Sequence, residues 1–215
     1  NTKVFRNLSY GVYVISSLDG ERPTGCIANS VMQITSSPAT IALSMNHDNY
    51  TNSCIAASGK FAVSILSEES DPGLIGNFGF QSGKDVNKFD AADYRMESGL
   101  PIVTDSCGYI VCRVIDKMET STHTVFLGEV IDGDVTGVNP PMTYAYYHQV
   151  VKGKSPKNAP TYLPEEDAPA VKEVWKCSVC GHAWQASPDN RFCGSGCPVC
   201  AKKRRGSEGR LGGSP

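Results

Sequence analysis

Short runs of β-branched and aromatic residues, each closed by Gly, Pro, Asp or Asn, fill the first 150 positions. Tyr10–Ser17 (YGVYVISS) is the first run, and Asp19-Gly20 supplies a turn after it. Thr40–Met45, Phe61–Leu66, Gly108–Ile115 and His123–Ile131 read as further strands. Their near-regular spacing predicts a mainly β fold, a barrel or a sandwich. Two stretches break that pattern. Asn49–Ala57 has an Asn cap and ends at Ser58-Gly59, the punctuation of a helix. Ser70–Phe78 predicts a second helix, with Pro72 tolerated near its first turn. Between the first strands lies Thr24–Pro38 (TGCIANSVMQITSSP), small and polar. Taken alone it is either a phosphate cradle or a plain polar turn.

The pattern changes after position 151. Residues 152–174 repeat Pro among Lys, Glu and Asp, which predicts an extended, solvated linker. Residues 175–202 form a short cysteine-rich module, and residues 203–215 read as a flexible tail. Residues 1–151 are then the main domain. The chain has 215 residues, 40% of them hydrophobic and 20% charged, the balance of an ordinary globular protein. A formal net charge of −2 gives no global pull toward nucleic acid or membrane, and neither partner is expected. No apolar run has the length of a membrane span, and no secretory leader is read at the N-terminus.

Four cysteines carry the clearest chemistry. Cys177 and Cys180 form one C-x-x-C pair and Cys197 and Cys200 another, with sixteen residues between. Each pair sets two thiolates on one tight turn, and two facing turns make a tetrahedral cage for zinc or a single iron. Iron can pass single electrons and zinc cannot. A segment this short buries too little apolar surface to fold alone, so the metal would supply its folding energy. Lys202, Lys203, Arg204 and Arg205 would balance the thiolate charge. Cys193 offers either an alternative ligand or a free thiol. Cys26, Cys54, Cys107 and Cys112 have no paired spacing and read as small apolar fillers, and the whole pattern suits a reducing cytoplasm.

Five segments, taken in order, carry a resemblance. They are Gly25–Ser30 (GCIANS), Ser36–Pro38, Tyr50-Thr51, Phe61–Leu66 and His123–Val130 (HTVFLGEV). Together they resemble the flavin reductase-like family. Phe78–Phe89 and Tyr147–Tyr162 resemble its flavoredoxin branch, in which high-molecular-weight rubredoxins carry a metal module after the barrel. The resemblance implies an FMN-binding split β-barrel with a few helices, plus a small C-terminal metal-binding ribbon. It implies a homodimer, and NAD(P)H-dependent flavin reduction or electron shuttling to a partner protein. The cysteine module departs from rubredoxin: Ala201 follows its second pair where rubredoxin has Gly, and His182-Ala183-Trp184 looks more like a treble-clef zinc ribbon. Zinc is therefore expected ahead of iron.

Hydride transfer between two rings needs stacking and positioning rather than an acid–base triad. By resemblance, Thr24, Asn29 and Ser30 would bond the flavin, with backbone N–H groups of Gly25, Cys26, Ile27 and Ala28, and Gly25 allowing close approach. Ser44, Asn46, Tyr50 and Thr51 would surround the phosphate, where a helix N-terminus favours an anion. Lys84 would add charge, His148 would reach in from the barrel rim, and His123 would face the nicotinamide. Two other classes remain: a flavoredoxin-type electron carrier without nicotinamide turnover, and a zinc-ribbon interaction module carried on the barrel.

Overall fold

The structure is a computed structural model that describes residues 2–154 and two short strands, 174–176 and 183–185. Its main element is a seven-stranded antiparallel sheet. The strands are β1 (Tyr13–Asp19), β2 (Arg22–Ala28), β3 (Val31–Ser36), β4 (Ala39–Asn46), β5 (Lys60–Ile65), β8 (Gly108–Glu119) and β9 (His123–Val135). They lie in the order β2-β1-β5-β8-β9-β4-β3. A separate hairpin pairs β6 (Tyr94–Glu97) with β7 (Leu100–Val103). The helices are α1 (Tyr50–Ser58), α2 (Pro72–Phe80) and α3 (Tyr144–Gln149).

The two edge strands, β2 and β3, are consecutive in the chain, with Asn29 and Ser30 alone between them. Two residues span at most about 10 Å, so the sheet has to curl until its edges nearly meet. The Ser44 N–H donates to Ser30 O at 3.0 Å, tying the connection to β4. That is a split barrel, and Asn29-Ser30 sit at the split. Thr24–Pro38 is thus not a turn between strands. It holds most of two strands, β2 and β3.

Ile15, Cys26, Ile41, Leu43, Phe61, Val63, Cys112 and Phe126 form one buried cluster, with Ile55 of α1 packed among them. Val12, Val14, Leu66, Met142 and Tyr147 pack with Leu74, Ile75 and Phe78 of α2 in a second. β1 is covered on both faces by these layers, which is why its apolar run is continuous rather than alternating. The caps follow the sequence. Asn49 Oδ1 accepts from Thr51 N at 3.0 Å, and Gly59 ends α1 in the left-handed conformation at φ +67. Asp71 caps α2 with Pro72 at its first position.

The second compact unit covers residues 166–215. Its described part is the antiparallel pair β10 (Val174–Lys176) and β11 (Ala183–Gln185), with Trp175 opposite Trp184. Cys177, Cys180, Cys197 and Cys200 lie outside the described residues. Among the described residues, no helix is long and apolar enough to cross a membrane, and no three His, Cys, Asp or Glu gather to hold a metal.

Candidate functional site

β2 places Thr24 and Cys26 on one face and Gly25 on the other. Thr24 is 2% exposed, and its Oγ1 is buried with no hydrogen-bond partner. A native buried hydroxyl is nearly always satisfied, so this one points to a missing acceptor or donor. A Cβ on Gly25 would lie 2.8 Å from Ile15 O and 3.3 Å from the Phe78 ring. The missing side chain at Gly25 therefore serves the close packing of β1 and α2. Cys26 is buried, and its thiol meets the side chains of Thr51 and Asn49; burial pushes its pKa up. Ile27 and Ala28 are half-buried, Asn29 is buried, and Ser30 Oγ donates to Asn29 Oδ1 at 3.0 Å.

The start of α1 closes against this strand. Thr51 is 1% exposed, and the first turn of the helix carries no acidic residue. Its positive dipole end is uncompensated by the helix itself. Tyr50 OH donates to Asp19 Oδ2 at 2.7 Å, and Arg22 Nη2 reaches the same oxygen at 2.9 Å. Those two bonds, Tyr50 first, hold the Asp19 carboxyl below its ordinary range.

The loop after α2 completes this end. Gly83 is buried, and a Cβ there would come within 2.6 Å of Thr24 Oγ1 and 3.4 Å of the Tyr50 ring. Lys84, the lysine expected to contribute, is exposed. Lys88 is the buried one: it is 3% exposed, and its Nζ donates to Phe78 O, near the C-terminus of α2, at 2.9 Å. Burial lowers its pKa, and the nearby Cys26 acts in the opposite sense. Sequence reasoning missed Lys88, whose one signal is its place directly before the core residue Phe89. The set fits a polar, anionic ligand. It joins an orphaned hydroxyl, a helix N-terminus and a buried ammonium.

A second group lies on the outward face of β4 and β9. Ser44 stands opposite Val125, and Asn46 opposite His123. His123 Nδ1 pairs with the Thr122 hydroxyl at 2.8 Å, while Nε2 is buried with no hydrogen-bond partner. Burial first, and the charge of His47 second, lower the His123 pKa. His148 sits on α3, edge-on to Tyr144 at 4.3 Å, and donates from Nδ1 to Gly153 O at 2.8 Å. The structure thus brings Thr24, Cys26, Tyr50 and Thr51 together, and separately Ser44, Asn46 and His123. A cavity of about 390 Å³ lined by Phe89–Tyr94 shares no residue with either group.

Comparison with known proteins identifies the family of this fold. Residues 5–154 match the flavin reductase like domain, and residues 155–203 match the probable treble clef zinc finger domain. The chain is 39% identical over 198 residues to a high molecular weight rubredoxin of Moorella thermoacetica, covering 88% of this chain and 86% of that protein. It is 38% identical over 165 residues to a ferric-chelate reductase (NAD(P)H) of Archaeoglobus fulgidus, covering 76% of this chain and 98% of that protein. Among solved structures, the NADH:FAD oxidoreductase SgcE6 of Streptomyces globisporus superposes with a TM-score of 0.61 at 26% identity, over 65% of this chain and 83% of that one. With its split barrel and its ordered motif segments, the chain belongs to the flavin reductase-like family and carries a treble-clef, zinc-finger-like segment after the barrel.

Proposed function

We propose that this flavin reductase-like oxidoreductase binds FMN at the split of its barrel, takes hydride from NADH or NADPH, and passes the electrons to an acceptor. The buried, unpartnered Thr24 hydroxyl beside the start of α1 is the observation that carries this reading. Bound flavin would supply the hydride-accepting ring. The chain's residues bind and orient it. Thr24, Asn29, Ser30 and the N–H groups of residues 25–28 bond ring edges and ribityl chain. Tyr50 and Thr51 lie at the phosphate, with Lys88 as a buried positive charge, while Ser44 and Asn46, expected there as well, stand instead with His123 on the outward face of β4 and β9. His123 faces the nicotinamide. Titration of the chain with FMN, followed by calorimetry, tests this. Saturable binding with a one-to-one endpoint is expected, and no binding at tens of micromolar flavin would overturn it.

The reading extends to assembly. Met32, Ala42 and Leu127 share one row across β3, β4 and β9, and Met118, Val125 and Ser44 share the next. Both rows face away from buried Leu43 and Phe126, and Met32 and Met118 are exposed. This apolar strip runs up to His123 and supports a homodimer that covers the outward half of the site. The four free cysteines among the described residues support a reducing cytoplasm.

For the C-terminal segment we propose one ion held by Cys177, Cys180, Cys197 and Cys200, with zinc ahead of iron. The match to a probable treble clef zinc finger domain supports zinc. A second reading has its own support. The similarity to the high molecular weight rubredoxin extends over 198 residues, beyond the barrel. An iron there would make the segment a one-electron relay, and the protein an electron carrier.

A further inference from the structure

Family membership does not choose between FMN and FAD, since SgcE6 is an NADH:FAD oxidoreductase. The two flavins are alike as far as the first phosphate, and FAD continues through a second phosphate to a nucleoside. What stands past the phosphate end of the site therefore decides. Alternation along β2 puts Arg22, Thr24, Cys26 and Ala28 on one face. From Ala28, beside the split, to Thr24 the strand rises about 13 Å, at about 3.3 Å per residue. Arg22 is two residues further from the split, next to the Gly20-Glu21 turn that joins β1 to β2.

A bonded group closes that end. Asp19 and Arg22 stand opposite each other across the hairpin. Arg22 Nη2 donates to Asp19 Oδ2 at 2.9 Å and reaches Tyr50 OH at 3.5 Å, and Tyr50 OH donates to the same Asp19 oxygen at 2.7 Å. The guanidinium also lies 5.9 Å from the centre of the Tyr50 ring. Gly83, packed against both that ring and the buried Thr24 hydroxyl, joins the group to the site. The one proton of the Tyr50 hydroxyl is thus given to Asp19, and Arg22 is held on a carboxylate. Asp19 is charged at neutral pH, its carboxyl lowered first by the Tyr50 bond and then by Arg22. Glu21 is exposed in the turn, and Lys84 and Asp85 are exposed on the loop beside Gly83. With Asp19 and Arg22 they make two positive and three negative groups, a local excess of one negative charge.

We propose that Asp19, fixed by Tyr50 and Arg22, is a specificity-determining residue that closes the phosphate end of the site to a second phosphate, so that the chain takes FMN in preference to FAD. The inference rests on the reading that the flavin lies along β2 with its phosphate at the start of α1. A phosphate monoester ends there and needs nothing from Asp19. A diphosphate would bring a second negative group against a carboxylate whose cation is already paired. Like charges brought together cost affinity for one ligand and not the other, and that difference is selectivity.

The experiment titrates the full chain with FMN, FAD and riboflavin by calorimetry, in the wild type, Asp19→Asn and Arg22→Gln. The wild type is expected to bind FMN about tenfold or more tighter than FAD, and riboflavin more weakly than FMN. Asp19→Asn removes the charge and keeps the turn, because Asn-Gly suits it as Asp-Gly does. It should narrow the preference severalfold by tightening FAD, with FMN little changed. Arg22→Gln leaves the carboxylate without its cation and should widen the preference. Two substitutions with opposite effects on one ratio separate selectivity from a general loss of structure, which would weaken both flavins together. Equal affinity of the wild type for FMN and FAD, or a ratio unmoved by Asp19→Asn, would overturn the proposal. So would riboflavin binding as tightly as FMN, since the phosphate would then not lie at α1. Binding of none of the three would overturn the flavin reading itself, and the proposal with it.

Discussion

Two buried polar side chains define the account at the level of single residues. Thr24 keeps a hydroxyl out of water with no partner, a state that costs about 1–3 kcal/mol. Thr24→Val removes that cost with little change of shape. The variant is expected to melt no lower than the parent without flavin, and to bind FMN about tenfold more weakly, the equivalent of about 1.4 kcal/mol. A lower melting temperature with unchanged FMN affinity would make Thr24 structural. Lys88 is the second. Burial places its folded pKa below the ordinary 10.5. Between those two values the unfolded chain holds more protons than the folded one, so stability rises with pH through that window. Below both, the full cost of the buried charge is present. Lys88→Met is expected to abolish this rise, measured as urea midpoints at successive alkaline pH values. A slope equal to that of the parent would place the ammonium in contact with water.

Among the elements, α1 carries the most. Its Asn49 cap orders the N–H groups offered to an anion and also meets the Cys26 thiol. Asn49→Ala is expected to cost about 1 kcal/mol in urea unfolding and to weaken FMN as well. A loss of stability with flavin affinity untouched would separate the cap from the site. This helix was legible in the sequence, because Asn49 and Gly59 bracket it with residues whose local chemistry needs no tertiary context. The central strands β4, β5, β8 and β9 were legible for a similar reason, as apolar β-branched runs. β2 and β3 were not. GCIANS is small and mixed, since Gly25 has to admit Phe78 while Thr24 and Cys26 face another layer. Its strand character comes from pairing with β1, which no local pattern records. The β6–β7 hairpin and α3 were hidden in the same way. In the site, the motif positions were legible through resemblance. Lys88 was not, because burial of a lysine depends on how the loop after α2 folds back.

For the whole molecule, the chain joins a flavin reductase-like barrel to a cysteine-rich segment, and on the proposal above the identity of a bound ion would decide whether the two share electrons. Elemental analysis of protein made with both metals available is expected to find about one zinc per chain. Iron with a reversible visible absorption band would replace zinc and make the segment a relay. The barrel's role is tested most directly by one spectrum: the flavin absorbance of the FMN-loaded chain before and after anaerobic addition of one equivalent of NADH or NADPH. Near-complete bleaching is expected on the proposal that the barrel holds the flavin where a nicotinamide can approach His123. Flavin that stays bound and fully oxidised with either nucleotide would contradict the account and leave an electron carrier in its place.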